Sequence, residues 1–139
     1  MTADIPQLLG PGDGEDIGGR IRIKCALEGL VLTETEGAGS TEPHIHHQHA
    51  DGFRVLEGEL TVLLGPEEHV LAPGDFALAP PELVHCYRTD GARWINLHAP
   101  GCGFENWLRR NDPAFDQHDP PAEGGGSASH GVLRRAGEG

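Results

Sequence analysis

An all-β sandwich or barrel is the fold class the sequence predicts, and three observations predict it. Between Arg20 and Ala99, short runs rich in Val, Leu and Ile are broken at close intervals by Gly, Pro, Asp and Glu. No run in that stretch has the length of a typical helix. The turns carry the glycines that tight reversals need for positive φ, in Glu57-Gly58, in Gly65-Pro66-Glu67-Glu68 and in Ala72-Pro73-Gly74-Asp75.

Taken in order, residues 1–19 read as an N-terminal arm ahead of the barrel. Strands are then expected near Arg20–Lys24, Leu30–Glu36, Pro43–His46, Gly52–Leu56, Glu59–Leu64, His69–Ala72, Asp75–Ala79, Val84–Thr89 and Ala92–Ala99. After Pro100 the pattern changes. Phe104, Trp107 and Leu108 stand at i, i+3 and i+4, the stripe of one short amphipathic helix, with Arg109 and Arg110 in its last turn and Asn111-Asp112-Pro113 to end it. The barrel with its helix is placed at residues 20–116. From 117 to 139 the chain is Pro, Gly, Ser and Ala with few large apolar groups, so it cannot bury enough surface to offset the entropy of ordering, and a flexible tail is expected. A length of 139 residues suits this single domain, and no internal repeat suggests a second barrel.

Charge narrows the function. With 22 acidic against 10 basic residues the formal net charge is −12, which argues against neutralising phosphates or lying on anionic lipid, so neither nucleic acid nor membrane is expected as a partner. The amino terminus lacks the basic and apolar regions of a signal peptide, and no apolar run approaches the roughly 18 residues of a membrane span. A cytoplasmic protein is the expectation. Cys25, Cys86 and Cys102 are widely separated and form no Cys-x-x-Cys pair, so they read as packed thiols.

Nine histidines are a heavy load for this length, and His44, His46, His47 and His49 fall within six residues. In a strand, the spacing of His44 and His46 sends both imidazoles to one face, where they can share an ion. Asp51 opens a neighbouring strand, and His85 stands inside another among apolar residues. Three neutral nitrogens and a carboxylate suit one divalent transition ion (Fe, Mn, Ni, Cu, Co or Zn) and leave coordination positions for water, substrate or dioxygen. His47 and His49, lying between these candidates, read as solvated loop residues.

These residues resemble the two motifs of the cupin superfamily. The first motif runs His-x-His, three or four residues, an acidic residue that is usually Glu, six residues, Gly; here stand His44-x-His46, four residues, Asp51, six residues and Gly58. The second runs Gly, five residues, Pro-x-Gly, two residues, His, three residues, Asn; here stand Gly74, Pro80-x-Glu82, His85 and Thr89. The resemblance spans about Ile21 to Pro100 and implies a double-stranded β-helix, or jelly-roll, with one metal ion held by His44, His46 and His85. Asp51, Glu82 and Thr89 depart from the pattern, in which Glu, Gly and Asn are usual. Because Asp is one methylene shorter than Glu, Asp51 is expected to act mainly from outside the ligand shell, through a water or a ligand histidine.

If His85 faces inward, Tyr87 does too, and Trp94, Asn96 and His98 alternate with Ile95 and Leu97 on the last strand. Tyr87 and His98 are therefore the candidate catalytic groups, to orient a substrate or move a proton. A metal-dependent dioxygenase acting on a small aromatic or enol-type molecule is the leading functional expectation. A Lewis-acid isomerase, epimerase or lyase with His98 or His49 as base is the second, and a non-enzymatic binding or sensing module the third. Edge strands that gain from being covered suggest a homodimer.

Overall fold

The computed structural model describes residues 7–121. Ten strands precede one helix: β1 (Glu15–Ile17), β2 (Ile21–Ala26), β3 (Val31–Glu36), β4 (Gly39–Ser40), β5 (Ala50–Glu57), β6 (Leu60–Leu64), β7 (Glu67–Leu71), β8 (Phe76–Ala79), β9 (His85–Thr89), β10 (Arg93–Ala99) and α1 (Phe104–Arg110). They form a six-stranded sheet in the order β1-β2-β3-β10-β5-β8 and a four-stranded sheet in the order β4-β9-β6-β7, with every pairing antiparallel.

Alternation decides which side chains enter the space between the sheets. Along β10, Trp94, Asn96 and His98 are buried while Ile95 and Leu97 are only half-buried, and along β6 Leu60, Val62 and Leu64 are buried in the same rhythm. Phe53, Val55, Leu60, Val62, Leu71, Leu83 and Trp94 close into one apolar cluster, with Tyr87 packed against it. The Gly65-Pro66 reversal is a hairpin within one sheet, pairing Leu64 with Glu67. Gly58 instead turns a corner, because β5 lies in the first sheet and β6 in the second. It has φ +74°, and a Cβ there would stand 3.0 Å from the Ala92 backbone, so glycine is required by conformation and by space.

Three expectations are corrected. The N-terminal arm is not separate: β1 forms a hairpin with β2, and Lys24 Nζ donates to the carbonyls of Gly10 and Asp13 while it pairs with the buried Glu34. Pro43–His46 does not make a full strand; His44 bridges His85, and Ile45 bridges His118. That second bridge also moves the start of the supposed tail. Gln117 and His118 belong to the fold, and the remainder of the tail beyond residue 121 lies outside the described residues. The helix forms where the apolar stripe places it, with Asn111 as its C-cap in the left-handed region.

Candidate metal centre

The polar end of the barrel is assembled from two cross-strand pairs. His44 bridges His85 at the rim of one sheet, and Asp51 of β5 stands opposite His98 of β10 in the other. Directly opposed residues share a face, so all four project between the sheets. His46, two residues after His44, joins them. Ligand atoms of His44, His46, Asp51 and His85 lie within 4.8 Å of one another, and all four residues are buried.

The backbone fixes how the imidazoles present themselves. Nδ1 of His44 donates to the Glu42 carbonyl at 2.8 Å, Nδ1 of His85 to that of Leu83 at 2.9 Å, and Nδ1 of His46 to that of Asp116 at 2.7 Å. A carbonyl only accepts, so each neutral ring carries its proton on Nδ1 and turns a bare Nε2 into the cluster. Asp51 Oδ2 lies 3.3 Å from Nε2 of His85 and 3.5 Å from that of His46. In the neutral rings these atoms are all acceptors. His46 Nε2 is buried and makes no hydrogen bond. Four acceptors facing one another are satisfied by a cation, either a proton on one ring, which would make the 3.3 Å His85–Asp51 contact a hydrogen bond, or a shared metal ion. Separations of 3.3 and 3.5 Å match ligands that share one ion at about 2.0–2.2 Å.

Asp51 itself is steered from behind. Asn96 Nδ2 donates to its Oδ1 at 2.8 Å, and Trp94 Nε1 donates to Asn96 Oδ1 at 2.7 Å, so the core tryptophan indirectly sets which carboxylate oxygen meets the histidines. The expected shortfall of an aspartate is not seen, since its second oxygen reaches the imidazoles. Burial alone would raise the Asp51 carboxyl, but His98, His46 and His85, whenever these rings carry a proton toward it, outweigh burial and hold it well below the usual carboxylate range. Burial, reinforced by His85, pushes His44 down to about 4, so this ring is neutral at physiological pH.

A second row of groups runs beside the first. His49, expected in solvent, is 1% exposed. Its Nδ1 meets Asp116 Oδ2 at 2.9 Å, and its Nε2 meets His98 Nδ1 at 3.0 Å. Burial, with help from His46, lowers His49 to about 4, and burial likewise lowers His98. His98 is buried, with Nε2 3.9 Å from Asp51 Oδ1 and its ring against Phe104. His47, by contrast, is half-exposed as expected, and its Nδ1 donates to Glu82. Tyr87 shares the inward face of β9 but packs on Trp94 and Phe53 in the apolar cluster. The structure thus brings His44, His46, Asp51, His85 and His98 together and leaves Tyr87 with the core.

The two other departures from the cupin pattern have local explanations. Glu82 keeps the left-handed backbone of the turn glycine it replaces, with φ 73°, and its N–H donates to the His46 carbonyl at 2.7 Å. Thr89, in place of Asn, donates to the Glu59 carbonyl and accepts from the N–H groups of Gly91 and Ala92, which closes the turn into β10.

Sequence reasoning misses Asp116. It follows the helix on a segment without strand or helix periodicity, and an isolated Phe115 within polar sequence is the one signal that this segment folds back. Phe115 is buried and touches the rings of His46, His49, His98, Phe104 and Trp107.

Fold and site together define a small antiparallel β-barrel with a histidine and carboxylate cluster of metal-ligand type at one end. Residues 31–98 match the family model described as a cupin domain, and the chain is a member of the cupin superfamily. Among solved structures it is similar to KdgF from Halomonas sp., with 26% identity and a TM-score of 0.56 over 63% of this chain and 86% of that one. An RmlC-like cupin from Shewanella frigidimarina NCIMB 400 gives 26% identity and a TM-score of 0.55, covering 64% and 84% of the two chains. The chain is also 29% identical over 130 residues to quercetin 2,3-dioxygenase of Bacillus subtilis (strain 168), a match that takes in 86% of this chain and 38% of that enzyme's length. Among the described residues no helix is long and apolar enough to cross a membrane.

Proposed function

We propose that the chain is a metal-dependent cupin of dioxygenase type, acting on a small enol or phenol, in which His44, His46, His85 and Asp51 hold one divalent transition ion. The observation that carries this reading is the set of three bare Nε2 atoms around a carboxylate oxygen, with His46 Nε2 buried and unsatisfied. The similarity to a quercetin dioxygenase supports the reaction class. When bound, an ion of this kind supplies Lewis acidity and open positions where a substrate oxygen and dioxygen can meet. The chain's own groups supply the remainder. Asn96 holds Asp51 in place, His98 accepts a hydrogen bond from the substrate hydroxyl, and the rings of Phe104 and Phe115 keep water from that face.

The test is oxygen uptake by protein reconstituted separately with Fe(II), Mn(II), Co(II), Ni(II), Cu(II) and Zn(II), against catechols, flavonols and diketones. Uptake that requires both metal and substrate supports the proposal. Metal binding with no uptake across the whole panel contradicts it. A second reading, a Lewis-acid isomerase or lyase, draws on the buried His49–His98 pair as a base. Conversion of a diketone under argon would favour that reading.

A further inference from the structure

The short segment after the helix makes more contacts with the histidine end than a terminal strap needs. Asp116 touches it with three of its atoms. Its carbonyl accepts from His46 Nδ1 at 2.7 Å. Its Oδ1 accepts from the His47 N–H at 3.1 Å and meets His118 Nε2 at 2.8 Å, while Oδ2 accepts from the Gln48 N–H at 2.8 Å and meets His49 Nδ1 at 2.9 Å. The flanking backbone is pinned as well, since Ile45 and His118 exchange both of their N–H to carbonyl bonds, at 3.0 and 2.9 Å.

Hydrogen-bond polarity propagates along this row without a free choice. A carboxylate only accepts, so the neutral His49 ring must carry its proton on Nδ1. Its Nε2 is then a lone pair, and the 3.0 Å contact with His98 Nδ1 requires the proton of His98 to sit on that Nδ1. His98 is left with a bare Nε2, which faces Asp51 across 3.9 Å. A neutral imidazole with a bare nitrogen accepts a hydrogen bond, whereas the opposite tautomer would present an N–H to the same place. A swap of tautomer can disable a site whose geometry is otherwise intact.

We propose that Asp116 is a positioning residue of this end of the barrel, acting on His46 and, through His49, on His98. Its carbonyl turns Nε2 of His46 to the metal cluster, and its carboxylate, acting through His49, turns an unprotonated Nε2 of His98 to the substrate hydroxyl. The catalytic contact is made by His98; Asp116 and His49 act through it. The consequence for turnover rests on the function proposed above, but the tautomer assignment does not, because it is read in metal-free protein without substrate.

The experiment is nitrogen-15 NMR of the histidine side chains in the metal-free full chain at neutral to mildly alkaline pH, for wild type, Asp116→Ala and His49→Phe, with a zinc titration of each. In the wild type, His49 and His98 are expected as Nδ1–H tautomers. In Asp116→Ala nothing holds the proton of His49 on Nδ1, and in His49→Phe His98 loses its acceptor, so His98 should gain the Nε2–H form in both. Asp116→Ala keeps the backbone carbonyl that holds His46 but removes the side-chain bonds to the His47 and Gln48 N–H groups that anchor it. Zinc affinity should therefore fall by no more than about 10-fold, the low end for an outer partner, and should fall less in His49→Phe. A wild-type His98 protonated on Nε2 overturns the proposal without reference to any variant. So does a His98 tautomer identical in all three proteins. Should Asp116→Ala fail to fold, the wild type and His49→Phe still decide it. A protein with these tautomers and no oxygen uptake would contradict the proposed function and leave the role of Asp116 standing.

Discussion

The two ends of the barrel interior are equally dry and chemically opposite. At one end Val55, Leu60, Val62 and Trp94 are at most 1% exposed, and at the other His46, His49 and His85 are each 1% exposed. Burying the first set removes apolar surface from water and drives folding. Burying the second set strips polar groups of water, and the cost is offset only where hydrogen bonds replace it. Those replacements are visible, as the carbonyls of Glu42, Leu83 and Asp116, the amide of Asn96 and the carboxylate of Asp116. The apolar end therefore holds the fold together, while the histidine end is a polar site that the fold carries, and the two meet through the Trp94–Asn96–Asp51 chain.

The strongest way to break this comparison is to cut into the apolar end. Leu60→Ala, at a fully buried position, should destabilise the protein by about 2–5 kcal/mol. Where the variant remains folded, its metal affinity should match the wild type. Denaturant unfolding followed by metal titration checks both halves, and a large loss of affinity in folded protein would mean that the two ends are not separable in this way.

Acid should act on the other end. His44 and His49 are held near 4 in the folded chain, below the ordinary 6.5. Between those values the unfolded chain binds more protons than the folded one, so stability should be flat above about 6.5 and should decline as pH falls toward 4, by on the order of 2 kcal/mol for each ring. Asp116 and Asp51, held below the carboxylate range, extend the loss further into acid. Unfolding free energies of metal-free protein at a series of pH values test this. A curve unchanged between pH 7 and pH 4.5 would show that these rings are not buried in the neutral state.

How far the sequence reveals this division depends on periodicity. Trp94, Asn96 and His98 alternate on one strand, and His44 and His46 share a face by the same rule, so these are legible in residue spacing, whereas Asp51 and His85 join them through the resemblance to the two cupin motifs. The helix announces itself through Phe104, Trp107 and Leu108. His49 and Asp116 lie on segments with no repeating pattern, and their burial comes from a contact between positions 67 residues apart, which no local rule encodes. β1 and β4, three and two residues long, are too short for alternation to register. Side-chain length alone understates the reach of Asp51, because it leaves out Asn96, the group that aims the carboxylate.

A smaller effect sharpens the same contrast at the rim. Glu82 occupies a left-handed conformation at φ 73° where glycine is at ease. Glu82→Gly relieves that strain and loses an exposed contact with His47, so a net gain of up to about 1 kcal/mol is expected, with metal affinity unchanged. Thermal melting checks it. A loss of stability would show that the pairing with His47 outweighs the backbone strain.

The central claim is that four side chains from separate parts of the chain form one ion site at the polar end of the barrel. Metal titration with elemental analysis of the wild type and of His44→Ala, His46→Ala, His85→Ala and Asp51→Ala, under one set of conditions, tests it most directly. The account predicts one tightly bound divalent ion per chain in the wild type and severe loss in all four variants, Asp51→Ala included, with each metal-free variant still folded. Wild-type stoichiometry and affinity persisting in any of the three histidine variants would contradict it.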